Sequence, residues 1–383
     1  MLQTLRPVGN KIYNKPRPFR SEIFSPYFTQ YYQSGTAALS AALIVAKKRA
    51  PKIEHPRILI PAYTCPDVIS AALYANVEPV LIDLEPESPW MSLTNIKNEL
   101  ESDSTIIAVV AINFLGIPER INELSKLTKL KNIVLIEDSA QDFPSEINDF
   151  SSESDLIISS FGKGKPIGLL GGGVVLTKNT TFKNLLPTTP NRDALFIERL
   201  KYKIKVSLYN IIITPFFYFL LSHFPLIKLG RTIFKPLKEL TACPQYILNL
   251  IEYNFLVYSR NKTVIMPYKD MLARLNSDKI IDLPTTCNVS MDKSLLRYPI
   301  LVNDAKTYKE LKISLEKAGL GVSIMYKNIL PKISGITDSM YKKNASELKN
   351  ANHFAAQLIT LPTHQAVSNK TLKKITDIFN SVI

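Results

Sequence analysis

The sequence predicts an α/β protein with a large, mainly parallel sheet sandwiched by helices and a smaller C-terminal α/β part. Two observations predict this. The first half alternates short apolar runs with helix-like segments, the pattern of strands covered on both faces. The same alternation returns, more briefly, in the last third, after a basic and aromatic middle. With 383 residues, 46% of them hydrophobic, the chain is long enough for more than one globular unit. The reading divides it into residues 1–180, a basic apolar helical insert or linker over 181–262, and a C-terminal part over 263–383.

Taken in order, Ile58-Leu59-Ile60, Pro79-Val80-Leu81-Ile82, Ile106 to Ile112, Ile133 to Ile136 and Leu156-Ile157-Ile158 read as buried strands. They are short, apolar throughout and rich in β-branched residues. Thr36 to Lys48, Pro66 to Ala75 and Glu119 to Leu127 read as the helices between them, with Pro66 and Pro118 at or just before a first turn. In such sheets, ligands collect at the carboxyl ends of the strands. In the last third, Tyr298 to Val302 and Gly321 to Met325 read as strands. Ala305 to Gly319 reads as a helix closed by its glycine, and 369–383 as a final helix.

Charge and cysteines bound the function classes. The formal charge is +14, and more than half of the excess falls between about residues 176 and 240. The densest part is Arg199, Lys201, Lys203 and Lys205. This local patch, without zinc-finger, helix-turn-helix or RNA-binding strand patterns, argues against a nucleic-acid partner. Cys65, Cys243 and Cys287 show neither metal-ligand spacing nor a disulfide framework, and no metal is expected. That cysteine pattern makes a reducing cytoplasm the expected location, and the first residues given show no signal-like apolar region. Val206 to Ile227 contains no Asp, Glu, Lys or Arg, yet prolines and polar residues interrupt it and basic residues flank it. A membrane-spanning helix, a peripheral membrane contact through 206–227 and a buried helical pair or dimer face all remain open.

The residues with chemistry lie where strands end. Lys165 stands in Ser160-Phe161-Gly162-Lys163-Gly164-Lys165, after the Leu156 to Ile158 strand and before a glycine-rich stretch, Gly168 to Gly173. A lysine at the carboxyl edge of a sheet can condense with a bound aldehyde as a Schiff base. Asp138, in Glu137-Asp138-Ser139-Ala140-Gln141, follows the Ile133 to Ile136 strand. A carboxylate there suits a protonated pyridine nitrogen as well as it suits a helix cap. Ser34-Gly35-Thr36-Ala37 opens a helix; alone it reads as a plain cap, but beside Lys165 and Asp138 its free N–H groups and the Thr36 hydroxyl read as a phosphate site. Together these residues call for pyridoxal 5′-phosphate (PLP).

In this order the segments resemble the DegT/DnrJ/StrS family of nucleotide-sugar aminotransferases, which have the fold-type-I PLP transferase architecture. Gly35-Thr36-Ala37-Ala38-Leu39 resembles its phosphate loop, Pro79 to Asp83 its "PVFVD" strand and Glu137 to Gln141 its "EDAAQ" segment. Ile60 to Thr64 resembles the stretch leading to the cofactor face, and Ser160 to Lys165 keeps the serine-to-lysine spacing. Arg297-Tyr298-Pro299, Gly319 to Tyr326 and Leu361 to His364 are similar more loosely. The resemblance implies Lys165 as Schiff-base lysine rather than Lys163, Asp138 as pyridinium partner and Gln141 at the ring or its hydroxyl. Thr36, Ala37 and Ser160 would hold the phosphate, with Gly35 allowing close approach. It further implies glutamate as amino donor, a keto sugar on a nucleotide as acceptor, and a homodimer.

Three departures stand out. Cys65 occupies the position of the ring that stacks on the cofactor, which Tyr63 could replace. The asparagine that reaches the partner's phosphate has no clear match, Asn254 being a poor one. The basic apolar middle is unlike the family. Two other readings therefore stay open: a PLP enzyme acting on a membrane-proximal or lipid-linked substrate, and a non-catalytic binding or assembly protein with this fold.

Overall fold

The computed structural model describes residues 4–147, 150–151, 153–189, 195–224, 232–261, 265–342 and 347–383. Its large sheet contains β1 (Phe28–Tyr32), β2 (Arg57–Pro61), β3 (Glu78–Ile82), β4 (Ile106–Ile112), β5 (Val134–Asp138), β6 (Leu156–Ser160) and β7 (Gly173–Thr177). The order across it is β1-β7-β6-β5-β4-β2-β3. The pairs β2–β3, β2–β4, β4–β5 and β5–β6 are parallel, whereas β7 is antiparallel to both β6 and β1. Every residue of β4, β5, β6 and β7 is buried. That burial explains why these strands read as continuous apolar runs rather than alternating ones.

Helices cover the sheet: α1 (Gly35–Arg49), α2 (Asp67–Tyr74), α3 (Leu93–Ser102), α4 (Ile121–Leu130) and the short α5 (Thr180–Leu185). In α1, Ser34 caps the start by accepting the Ala37 N–H at 3.1 Å, and Lys47, Lys48 and Arg49 stand in its last turn, where cations suit the helix dipole. The fourth helix begins two residues later than the sequence predicts. Glu119 is buried outside it, its carboxylate taking the Met91 and Arg120 N–H groups.

The middle of the chain forms α6 (Phe196–Ile212), α7 (Pro215–Ser222) and α8 (Gln245–Arg260). Part of the run 206–227 lies outside the described residues. The last third forms α9 (Met266–Leu275), β8 (Ile280–Asp282), α10 (Leu283–Thr286), β9 (Arg297–Val302), α11 (Ala305–Lys317), α12 (Lys349–Gln357), β10 (Leu358–Pro362) and α13 (Asn369–Val382). The second sheet is antiparallel, in the order β10-β9-β8. Gly319 closes α11 with φ +67°, as its position after the helix predicts. Gly321 to Met325, expected as a strand, is not one. Gly321 and Met325 both have positive φ, so the extended run cannot persist, and only Ser323 bridges to Thr360.

An amino-terminal arm binds the parts together. Leu5 N–H bonds Gly319 O, Thr4 N–H bonds Pro215 O, and the buried Arg6 guanidinium reaches Ile213 O at 2.9 Å. Further along, Ile12 exchanges hydrogen bonds with Asn210, and Tyr13 does so with Asn254.

Candidate active site

The reversal of β7 sets up the site. Because β6 and β7 are adjacent and antiparallel, the loop between them stays at the carboxyl edge of β6, beside the end of β5. The loop is closed on itself. Phe161 N–H bonds Gly172 O at 2.8 Å, and Leu169 and Gly171 N–H groups return to Phe161 O. Within it, Gly164 takes φ +74° and Lys165 N–H bonds Gly162 O. The outcome separates the two lysines: Lys163 is exposed and Lys165 is half-buried.

Two glycines let α1 start against this loop. A Cβ on Gly35 would stand 2.5 Å from the Ser160 Cβ, and one on Gly173 would stand 2.4 Å from Ser34 O. Only hydrogen at these positions allows the helix start and the β6 end to meet. The Ser160 Oγ, which accepts the Gly162 N–H at 3.2 Å, thus lies beside the opening turn of α1. In that turn the Gly35 and Thr36 N–H groups have no intrahelical acceptor, whereas the Ala37 N–H is taken by Ser34 Oγ. Ala37 is therefore a weaker phosphate donor than the resemblance implies.

Asp138 ends β5 and is buried. One carboxylate oxygen accepts the Ala140 N–H at 2.9 Å. Among the described residues it has no salt bridge. Burial pushes its carboxyl above the usual range, while the Ala140 hydrogen bond and the nearby charge of Lys165 oppose that shift. Its neighbour Glu137 faces a different network, holding Asn113, Ser139 and Ser154. Strand alternation thus sorts the two acids.

Cys65 belongs to the same cluster. Its thiol is pushed up to about 12, first by burial and then by Asp67, with Lys165 opposing. It is a neutral thiol and not an activated nucleophile. The Tyr326 hydroxyl stands near it, and burial, first, disfavours the ionisation of that hydroxyl as well. Tyr326 accepts a hydrogen bond from Gln141 Nε2 at 3.2 Å, and Gln141 Oε1 takes the Leu115 N–H. Gln141 therefore reaches the site edge already oriented by two partners.

Tyr63 does not take over the stacking role. Its hydroxyl donates to Tyr326 O at 3.0 Å and accepts the Tyr326 N–H, and its ring packs edge-on against Phe114, Tyr326 and Phe354. It is a core strut between the two sheets' elements. Asn254 is likewise committed within its own chain, to Tyr13 and to Leu250 O. His364 is buried, with Nε2 2.8 Å from Arg6 O and Nδ1 accepting the Ala366 N–H. Burial and the nearby Arg6 hold its pKa down at about 3, so it is a neutral packing histidine.

Two members of the cluster were not individually legible in sequence. Asp67, at the start of α2, acts electrostatically on Cys65, Asp138 and Tyr326. Tyr326 comes from the other sheet's side of the molecule, and only the loose likeness of Gly319 to Tyr326 pointed to it.

The arrangement fits PLP. It offers a primary amine on a fixed loop, a helix start with a serine hydroxyl beside it, and a buried carboxylate lacking an ion-pair partner that a pyridinium N–H would supply. Among the described residues no group of histidine, cysteine or acidic side chains could hold a metal ion.

Comparison with known proteins agrees. The model of the DegT/DnrJ/EryC1/StrS aminotransferase family matches residues 29–188 and 251–380. A UDP-4-amino-4,6-dideoxy-N-acetyl-β-L-altrosamine transaminase of Campylobacter jejuni is 26% identical over 357 residues, which is 91% of this chain and 84% of that protein. GDP-perosamine synthase of Escherichia coli O157:H7 is 26% identical over 175 residues, and there the match spans about half of each protein, 45% and 46%. Among solved structures, a Bacillus cereus protein described as a PLP-dependent aminotransferase superposes with a TM-score of 0.69 at 15% identity, covering 99% of this chain and 100% of that one. NtdA of Bacillus subtilis, solved with bound cofactor PMP, gives 0.67 at 16% identity, covering 93% and 73%. At these identities the structural matches show the fold.

Proposed function

The chain belongs to the DegT/DnrJ/EryC1/StrS family of PLP-dependent aminotransferases, and on that premise we propose that it moves an amino group from glutamate to a keto carbon of a nucleotide-linked sugar. The product would be an amino sugar for surface polysaccharide. The observation that carries the reading is the meeting of Lys165, Asp138 and the α1 start at one sheet edge. The names of the curated relatives, a UDP-sugar transaminase and a GDP-sugar synthase, support the substrate class.

When bound, PLP supplies an aldehyde that condenses with amines and a ring that takes up electrons. The residues then divide the work. Lys165 Nζ anchors the resting cofactor. Once released as a free amine, it takes the proton from the donor's α-carbon. In the second half-reaction the same Nζ delivers a proton to the sugar carbon that had carried the oxygen. Asp138 holds the proton on the ring nitrogen through its negative charge, and burial strengthens that interaction. Gly35 and Thr36 N–H groups, with the Thr36 and Ser160 hydroxyls, hold the phosphate. Gln141 and Tyr326 would border the ring, and Cys65, where the resemblance puts a stacking aromatic residue, would offer it less surface. A homodimer is part of this proposal.

The test is purified protein with PLP, glutamate and a panel of keto-sugar nucleotides, followed by mass spectrometry. Formation of an amino sugar together with 2-oxoglutarate is expected. Cys65 gives ground for one competing reading, a binding or assembly protein without turnover. A visible absorbance band that Lys165→Ala abolishes would count against that reading, and turnover would reject it.

A further inference from the structure

We propose that the outward face of α6 and α7 docks the protein on an anionic lipid surface, with α6 lying in the headgroup plane. This does not rest on the catalytic reading. Both faces of α6 carry large apolar or aromatic side chains. Tyr202, Val206 and Tyr209 are buried, and the Tyr202 hydroxyl bonds Leu169 O at 2.6 Å. On the opposite face Phe196, Leu200, Ile204, Leu208 and Ile211, spaced by three or four residues, form one stripe open to solvent. Phe196 is 81% exposed and Ile204 58%. Soluble surfaces scatter such residues singly, whereas a continuous stripe marks a contact.

The charges choose the partner. At 3.6 residues per turn, Arg199 and Lys203 run along one margin of the stripe and Lys201 and Lys205 along the other. All four are exposed. The acidic residue of this helix, Glu198, is used at the helix start, where its carboxylate takes the Leu195 N–H. An apolar stripe between two basic margins suits acyl chains below and phosphate headgroups beside, with lysine stems reaching up to the headgroups. A second copy of the chain fits worse. A two-fold contact sets the face against itself, so the basic margins would meet each other without acids to offset them.

The adjoining α7 extends the surface. It has no buried residue and no charged one, and Phe216, Phe217 and Leu220 are each about half exposed. It leaves α6 at an angle of 89°, and no single helix among the described residues is long and apolar enough to cross a membrane. The corner is held from behind: Arg6 and Thr4 bond the carbonyls of Ile213 and Pro215. The corner of the surface is therefore anchored to the body of the protein. The surface begins at Phe196, ten residues before the apolar run that composition singles out. Val206, Tyr209 and Ile213 of that run face inward.

Flotation of the full chain with phosphatidylcholine vesicles, with and without phosphatidylglycerol, tests this. Binding to the anionic vesicles is expected, weakening as salt rises. Ile204→Asp with Leu208→Asp should reduce it by on the order of tenfold or more. Lys201→Ala with Lys205→Ala should reduce it on anionic vesicles by roughly tenfold. An unchanged thermal unfolding midpoint shows that each variant folds. Failure of the parent to float, or flotation indifferent to both double variants, overturns the proposal. So does a halved particle mass of the Ile204→Asp/Leu208→Asp variant in light scattering, which would assign the face to a second copy.

Discussion

The carboxyl edge of the large sheet and the α6–α7 corner are both rich in apolar residues, and they use them in opposite ways. At the sheet edge the apolar residues are all inside, and the few polar groups left among them, Asp138, Ser160, Lys165 and Gln141, form the site. At the corner the polar residues are ordinary surface lysines, and the apolar ones are those left out. In the first region an anomalous polar group marks function, and in the second an anomalous apolar group does. Neither is visible in composition, since burial gives each its meaning.

The comparison can be broken at either end. The largest effect is expected from Lys165→Ala. It should abolish the cofactor's visible absorbance and lower amino transfer by at least about 10³-fold, measured by product formation. Next comes Val206→Asp, which puts a carboxylate on the inner face of α6. Chemical denaturation should show a loss of about 3 kcal/mol or more. Gly35→Ala should cost roughly 1–3 kcal/mol in the same assay and weaken PLP binding, because its Cβ would stand 2.5 Å from that of Ser160.

His364 probes the joint between the two regions, since it packs against the arm that anchors α7. Its pKa is lowered from 6.5 to about 3 by burial. Between these values the unfolded chain binds a proton that the folded chain does not. Stability should therefore fall as pH drops below about 6.5, by about 2 kcal/mol at pH 5, and His364→Gln should flatten that slope. The smallest effect is expected from Ile204→Asp, within about 0.5 kcal/mol in denaturation, although it lies two residues from Val206. Equal costs for Ile204→Asp and Val206→Asp would erase the distinction between the two faces.

Much of the large sheet was legible because strands buried on both faces must be apolar throughout. The Ile106 to Ile112 run matches its strand residue for residue. The strand Phe28–Tyr32 was missed because it is a half-buried edge with polar members, and Gly173–Thr177 because its start looks like part of a glycine loop. Gly321 to Met325 looked like a strand because positive φ at a methionine has no signature in residue type. In the site, Lys165 and Asp138 could be named from their places after strands. Tyr326 could not be derived from spacing, since it bonds Gln141 from 185 residues further on and lies further still from Cys65. On α6, Ile204 and Val206 could not be told apart, because both faces of the helix are apolar and only packing separates them.

The arm has a consequence for how the molecule is made. Ile12 and Tyr13 find their partners 198 and 241 positions later, in Asn210 and Asn254, and Arg6 supports His364 across 358. Ribosomes add roughly 5–20 residues per second, so these early residues wait on the order of tens of seconds before anything exists for them to bind. During synthesis the sheet can close first, with the arm still trailing. The arm therefore waits: its bonds to the α6–α7 corner can form once Ile213 and Pro215 are made, and its seat is complete only when Gly319 and His364 follow.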